Sequence, residues 1–424
     1  MVRLLTTIAT MVIMVGSAGL QVQAQEVLTL DDCINIALEK RASIIMARGA
    51  EQSASAAKRS ALGAFLPGAN VSYNYSKGKE TSIEPANGGI DEQDIGPRKS
   101  WSLRSGMDLV NISNFYNYAG AAAAKAQAEL DVLSSENDMR FAVKTAYYAY
   151  LAMEENVLVQ GDAVKRADEQ LKLIESRFEL GSAALSDVLK QKVQSGNDHL
   201  ALLRAKNAVT NTKADLAYTI GLDPRQEYVF SLDYAVSQYS GSLSEAINLG
   251  LGGNPSLLSL NKTVDQSNHA VKAAMASYLP RIGGSFDYTR FEGTVAFPFS
   301  QDYSSNAYTY GFSISLNVFD GFLREKRVSD AKVWRNNARA NEADGRNKTV
   351  ADIKTAYLDI EQLAEQKVVS DGNVEAAEED LKITQEKYNL GAATILEILE
   401  SQEALKKAQV SLIQVDFDNN LAVA

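Results

Sequence analysis

The sequence predicts a mixed α and β chain built twice on one plan, with two amphipathic strands and one very long helix in each half. Three observations carry this reading. The proline map has two long empty tracts, several motifs return at a nearly constant distance, and four short segments alternate between apolar and polar residues.

The seven prolines are Pro67, Pro85, Pro97, Pro224, Pro255, Pro280 and Pro298. None lies between Arg98 and Asp223, and none follows Pro298. Proline removes a helix donor and clashes with the preceding turn, so both tracts invite long helices. They occupy matching places in a duplication. Leu30-Asp31-Asp32-Cys33 is echoed by Leu243-Ser244-Glu245-Ala246, and Phe65-Leu66-Pro67 by Tyr278-Leu279-Pro280, both 213 residues on (243 − 30 and 280 − 67). Thr145-Ala146-Tyr147 returns as Thr355-Ala356-Tyr357, and Arg177-Phe178-Glu179-Leu180-Gly181 as Lys387-Tyr388-Asn389-Leu390-Gly391, both 210 on (355 − 145 and 391 − 181). The slip of three falls in the strand region, where loop length drifts freely.

The elements follow in chain order. Arg3, the apolar run 4–15 and the small residues around Ala24 read as an export signal over 1–24, with the mature chain starting at Gln25. About 12 apolar residues fall short of the roughly 20 that a spanning helix needs. The first repeat, 25–226, reads as a helix over 30–62, strands near 69–77 and 99–110, a long helix over 113–178 and its partner over 183–220. A linker over 227–242 precedes the second repeat, 243–424. There the pattern gives a helix over 243–277, strands near 282–291 and 307–319, a long helix over 322–388 and a last helix over 393–420. At about 1.5 Å per residue the helix 113–178 would be roughly 100 Å long, so it must pack side to side with other rods. Val350, Ile353, Tyr357, Ile360, Ala364, Val368, Asp371, Val374, Ala377, Leu381, Thr384 and Tyr388 step by three or four, which is one coiled-coil seam. An ordinary helical bundle would show the same pattern.

The strands suit a membrane. Tyr308, Tyr310, Phe312, Ile314, Leu316 and Val318 fall on one face of the last strand, and Thr309, Gly311, Ser313, Ser315 and Asn317 on the other. Trp101, Leu103, Met107 and Leu109 oppose Ser102, Arg104, Gly106 and Asp108; Val71, Tyr73 and Tyr75 oppose Ser72, Asn74 and Ser76; Phe286 and Tyr288 oppose Ser285, Asp287 and Thr289. An aromatic, apolar face fits lipid and a polar face fits a wet lumen, although a soluble sandwich would alternate too. The stretches 81–97 and 292–306 read as exposed loops. Four strands cannot close a barrel, and open edges are forbidden in hydrocarbon. Other copies must complete it: two give eight strands with a filled interior, three give twelve with room for a channel.

Composition narrows the chemistry. A net charge of −11 without a basic cluster argues against a nucleic-acid partner. With one cysteine, Cys33, and two histidines, His199 and His269, neither an internal disulfide nor a cysteine-rich metal site can form. Cys33 follows two aspartates, a poor setting for a lipid acceptor. No His-Glu-x-x-His, Gly-x-Ser-x-Gly or phosphate-cradling motif occurs, so neither enzyme activity nor a cofactor is expected.

Taken together, the duplicated plan, the two Leu-Pro motifs leading into strands and the paired turns resemble the outer-membrane efflux protein family, the TolC-like exit ducts. The turns are Arg177 to Gly181 with Asp187-Val188, and Lys387 to Gly391 with Glu397-Ile398-Leu399. The resemblance covers essentially the whole mature chain. It implies a homotrimer in the outer membrane, with a shared 12-stranded β-barrel and a long α-helical barrel extending through the periplasm. The duct would be passive and serve a tripartite efflux or type I secretion system. A periplasmic adaptor would dock at the tip turns, with Phe178, Leu180, Gly181, Leu390 and Gly391, and would connect to an inner-membrane transporter.

The resemblance also implies a closed periplasmic mouth. Glu397 and Glu400 match acidic positions that face the axis, where three chains would stack two carboxylate rings; like charges so crowded attract cations. Tyr388 and Asp187 match positions joined by a hydrogen bond that holds the mouth shut. Ala393 departs from relatives that carry arginine there. The alternative to a duct is a soluble periplasmic coiled-coil protein with a structural or adaptor role.

Overall fold

The computed structural model describes residues 27–83, 90–232, 239–295 and 301–423. The expected export signal lies outside these residues. The order is β1 (Val27–Leu28), α1 (Leu30–Lys40), α2 (Ala42–Gly63), β2 (Gly68–Ile83), β3 (Ile90–Val110), α3 (Ile112–Glu179), α4 (Leu185–Ile220) and β4 (Val229–Phe230). It continues with α5 (Leu243–Gly253), α6 (Pro255–Ala276), β5 (Arg281–Val295), β6 (Gln301–Ser315), α7 (Leu323–Asn389) and α8 (Ile395–Val423).

The two expected helices at 30–62 and 243–277 are each broken in two. In the second, Asn254 precedes Pro255, which disfavours helical dihedrals at Asn254; it is extended and caps α6 with its side chain. In the first, Arg41 is extended without a proline. Its guanidinium donates to the Tyr218 carbonyl at 2.9 Å and lies 4.8 Å from the Tyr218 ring. The break therefore seats the end of α4 against the α1–α2 junction. There Gly221 takes a left-handed φ of +81°, and a Cβ on it would stand 3.2 Å from the Lys40 Cβ. Both α1 and α5 begin with a capping box, Thr29 with Asp32 and Ser242 with Glu245.

Around this junction Cys33, Ile44, Val143, Tyr147, Leu216, Ile220 and Phe230 form the main apolar core. Two-residue strands β1 and β4 pair in parallel beside it, a detail too short to leave a signal in the sequence. Each long helix is continuous. Along α3, α2 and α6 pack as well as α4 and α8; α7 packs on α6 and α8. Among the described residues, no helix is long and apolar enough to cross a bilayer.

The seam of α7 differs from the expected one in its middle. Val350, Ile353, Tyr357 and Ile360 are partly covered, and so are Val374, Ala377 and Leu381, while Thr384 and Tyr388 are buried. Between them the covered positions are Leu363, Lys367 and Ser370, whereas Ala364, Val368 and Asp371 are exposed. The seam shifts by one residue there, and Lys367 on the covered side pairs with Asp416 of α8. Buried residues on α7 are confined to Arg324, Ala338, Ser370, Thr384 and Tyr388 out of 67. Most of its surface therefore lacks a neighbour within the chain.

The four long strands form one antiparallel sheet in the order β2-β3-β5-β6. The expected loops at 81–97 and 292–306 are mostly strand: β2 runs to Ile83, β3 starts at Ile90, β5 runs to Val295 and β6 starts at Gln301. Their polar composition fits hairpins that rise past a bilayer, since about 9–11 residues already span one. The last strand ends at Ser315, not 319. Ser315 pairs with Arg281, and the next partner would be Pro280, which has no N–H to donate.

Register aligns the alternating faces across the sheet. Val71, Leu103, Tyr288 and Tyr308 share one row, and Phe286 and Tyr310 another on the same side. On the opposite side Ser72 and Ser102 hydroxyls meet at 2.7 Å, and Arg104 lies 3.5 Å from Asp287. One side thus carries most of the aromatic and apolar residues, interrupted by Ser105 and by Arg290 and Asn306 in the row of Trp101, and the other is mostly polar. Strands β2 and β6 each have a single neighbour, so the sheet has two open edges.

Candidate functional site at the helix tips

Far from the sheet, α3 turns into α4 and α7 into α8 through the same closure. The Ser182 N–H donates to the Arg177 carbonyl at 2.8 Å, and the Ala392 N–H to the Lys387 carbonyl at 2.8 Å. Gly181 and Gly391 take φ of +75° and +77°. This is the six-to-one helix ending that a left-handed residue allows. A Cβ at either glycine would meet open space, so the dihedral alone demands glycine. Leu180 and Leu390 cap the two tips at 83% and 84% exposure, with Phe178 half exposed beside them.

Behind the turns Ile174, Tyr388, Ile395 and Ile398 are buried together, with Ala183, Val188, Ala393 and Leu399 packed on them. Ala393 is thus part of the apolar packing. Further along, Gln385 donates to Gln170, joining α7 to α3 at 3.2 Å, and Lys406 on α8 pairs with buried Asp198 on α4 at 2.9 Å. These contacts bind the four helices into one end.

Arg177, at the end of α3, reaches across to α7. Its Nη2 donates to Asn389 Oδ1 at 3.0 Å, and its guanidinium lies 5.0 Å from the Tyr388 ring centroid. Burial pushes the Tyr388 phenol above its usual range; the Arg177 charge opposes this, and the nearby Asp187 carboxylate adds to it. Among the described residues no hydrogen bond joins Tyr388 to Asp187, whose carboxylate accepts from Ser186 at 3.3 Å. Within one chain it is the Arg177 guanidinium that lies against the Tyr388 ring. In the sequence it was only part of a turn motif; the signal missed was a cation in one copy opposite a tyrosine and an asparagine in the other.

Glu397 and Glu400 lie one turn apart on the exposed side of α8, away from Ile395 and Ile398. Glu397 has a local task as well. Its carboxylate accepts from the Thr394 N–H at 2.9 Å, and its own N–H donates to the Thr394 hydroxyl at 3.4 Å. It therefore closes a capping box at the start of α8.

This geometry can be set beside known proteins. The family model described as outer membrane efflux protein matches residues 33–222 and 246–422. The chain belongs to the outer membrane efflux protein family. That family is one of channel proteins rather than enzymes, and it places the chain in the outer membrane, reaching into the periplasm, as an exit duct. The soluble periplasmic alternative is set aside by this membership. Outer membrane efflux protein BepC of Brucella suis is 21% identical over 355 residues, covering 84% of this chain and 75% of that one. Outer membrane protein TolC of Vibrio cholerae is 22% identical over 410 residues, covering 93% and 88%. Among solved structures, VceC of Vibrio cholerae superposes with a TM-score of 0.78 at 19% identity, covering 93% of this chain and 94% of that one. The CmeC channel of Campylobacter jejuni gives 0.77 at 16% identity, covering 93% and 84%. At such identities the structures speak to the fold, which is that of this family.

Proposed function

We propose that three copies of this chain assemble into one passive duct. The observation that carries this is a four-stranded sheet with an aromatic face and two open edges. Each unpaired backbone group in hydrocarbon costs several kcal/mol, so β6 of one copy pairs with β2 of the next until the cylinder closes. Three copies make twelve strands, the larger of the two closures and the one that leaves a lumen. The sparsely covered α7 then finds its missing neighbours on adjacent copies.

In this assembly the twin turns form the periplasmic mouth. Exposed Leu180 and Leu390, with Phe178, Gly181 and Gly391, supply the surface on which a periplasmic adaptor docks and links the duct to an inner-membrane transporter. Glu397 and Glu400 from three copies stack carboxylates around the opening, while Tyr388 and Asp187 belong to the packing that narrows it. The family points the same way, and energy comes from the pump. Reconstitution tests the reading: detergent-purified protein added to a planar bilayer should give discrete conductance steps. A water-soluble monomer that leaves the bilayer silent would overturn it.

A further inference from the structure

The duplicated tips are alike in backbone, but three side chains of the five-residue turn motif differ. Arg177, Phe178 and Glu179 of the first copy stand where the second has Lys387, Tyr388 and Asn389. Inside one chain the arginine of the first copy meets the tyrosine and the asparagine of the second, with a 3.0 Å hydrogen bond to Asn389 and the guanidinium 5.0 Å from the Tyr388 ring. The reverse contact could not be equivalent. Glu179 stands where the second copy has the accepting Asn389, and a lysine is a point charge where the arginine offers a planar fork of donors. Tyr388 is buried beneath this fork, at the end of the helix that enters the α8 hairpin. Holding Tyr388 therefore holds the hairpin.

We propose that Arg177 is a positioning residue that latches the α7–α8 hairpin to the α3–α4 hairpin within each chain and so sets the width of the mouth. This rests on the reading of the tips as the mouth of a duct. The latch joins the α3 and α7 ends without a covalent or backbone link, so it can release while both helices stay folded. It also acts inside each chain, so the mouth has three equal fastenings.

The test uses the full assembly in planar bilayers with R177A, R177K and N389D. Losing one charged hydrogen bond corresponds to a factor of about ten or more in an equilibrium, so R177A should raise the occupancy of the wide state about tenfold. R177K should fall between R177A and the wild type. N389D should lower that occupancy below the wild type, because a carboxylate makes the contact an ion pair. A role confined to stability would not move R177K and N389D in opposite directions. A conducting wild type with unchanged R177A gating overturns the latch alone, whereas a silent wild type overturns both the latch and the duct. If R177A does not assemble, wild-type gating in both R177K and N389D overturns the latch.

Discussion

At the scale of single residues, one side chain serves two ends. Glu397 closes a capping box with Thr394 and also stands exposed one turn from Glu400. Truncation to alanine would mix these roles, because losing a helix cap costs about 1 kcal/mol by itself. Glutamine keeps the cap acceptor and removes the charge. The pair Glu397→Gln with Glu400→Gln should therefore weaken cation selectivity and blockage by multivalent cations while the assembly stays intact. Single-channel recording in a salt gradient checks this, and unchanged selectivity would remove both glutamates from the lining. The types and positions of these residues were legible from their spacing and the family resemblance. The Thr394 cap is equally present in the sequence as Thr-x-x-Glu, the capping-box signature. Cys33 makes a related point. Its two acidic neighbours argued against a lipid site, and the thiol is in fact buried in the main core, with burial first and then the Asp32 charge pushing it up to about 12.

At the scale of elements, glycine shows how position decides the sign of one substitution. Gly391 ends α7 with φ of +77°, where a side chain is strained whatever the space around it. Gly372 lies inside α7, exposed, with nothing near its would-be Cβ. Gly391→Ala should cost roughly 1–2 kcal/mol; Gly372→Ala should gain roughly 0.5–1 kcal/mol, the propensity difference inside a helix. Thermal unfolding of the purified assembly reads both, with opposite shifts in Tm expected; a shift in the same direction for both would refute the assignment of Gly391 as a cap. The long helices were legible because proline was missing from two tracts and turn motifs closed each one. Their breaks were less so. Pro255 marked the second, but at Arg41 no proline marks the break, and its contact, Tyr218, is remote in sequence and close only after folding. The seam of α7 was read from apolar spacing, which favours Val368 over Lys367. The partly covered position is Lys367, which pairs with Asp416 on another helix, and no local pattern announces that partner.

At the scale of the whole molecule, what the chain lacks is as informative as what it builds. Alternation identified all four strands and their faces, and register confirms that Val71, Leu103, Tyr288 and Tyr308 share a side. Strand length was underestimated, because polar residues past the apolar stretch look like loop until pairing is known. The Arg177 contact was hidden for the same reason, since it joins two repeats 212 residues apart. All these features converge on an incomplete cylinder with a wet inner wall, open at both sheet edges and sparsely covered along α7. The most direct test is the mass of the detergent-solubilised particle by native mass spectrometry. The account predicts a single species of three chains, each of at most 46.0 kDa; a monomer, or a dimer closing at eight strands, would contradict it.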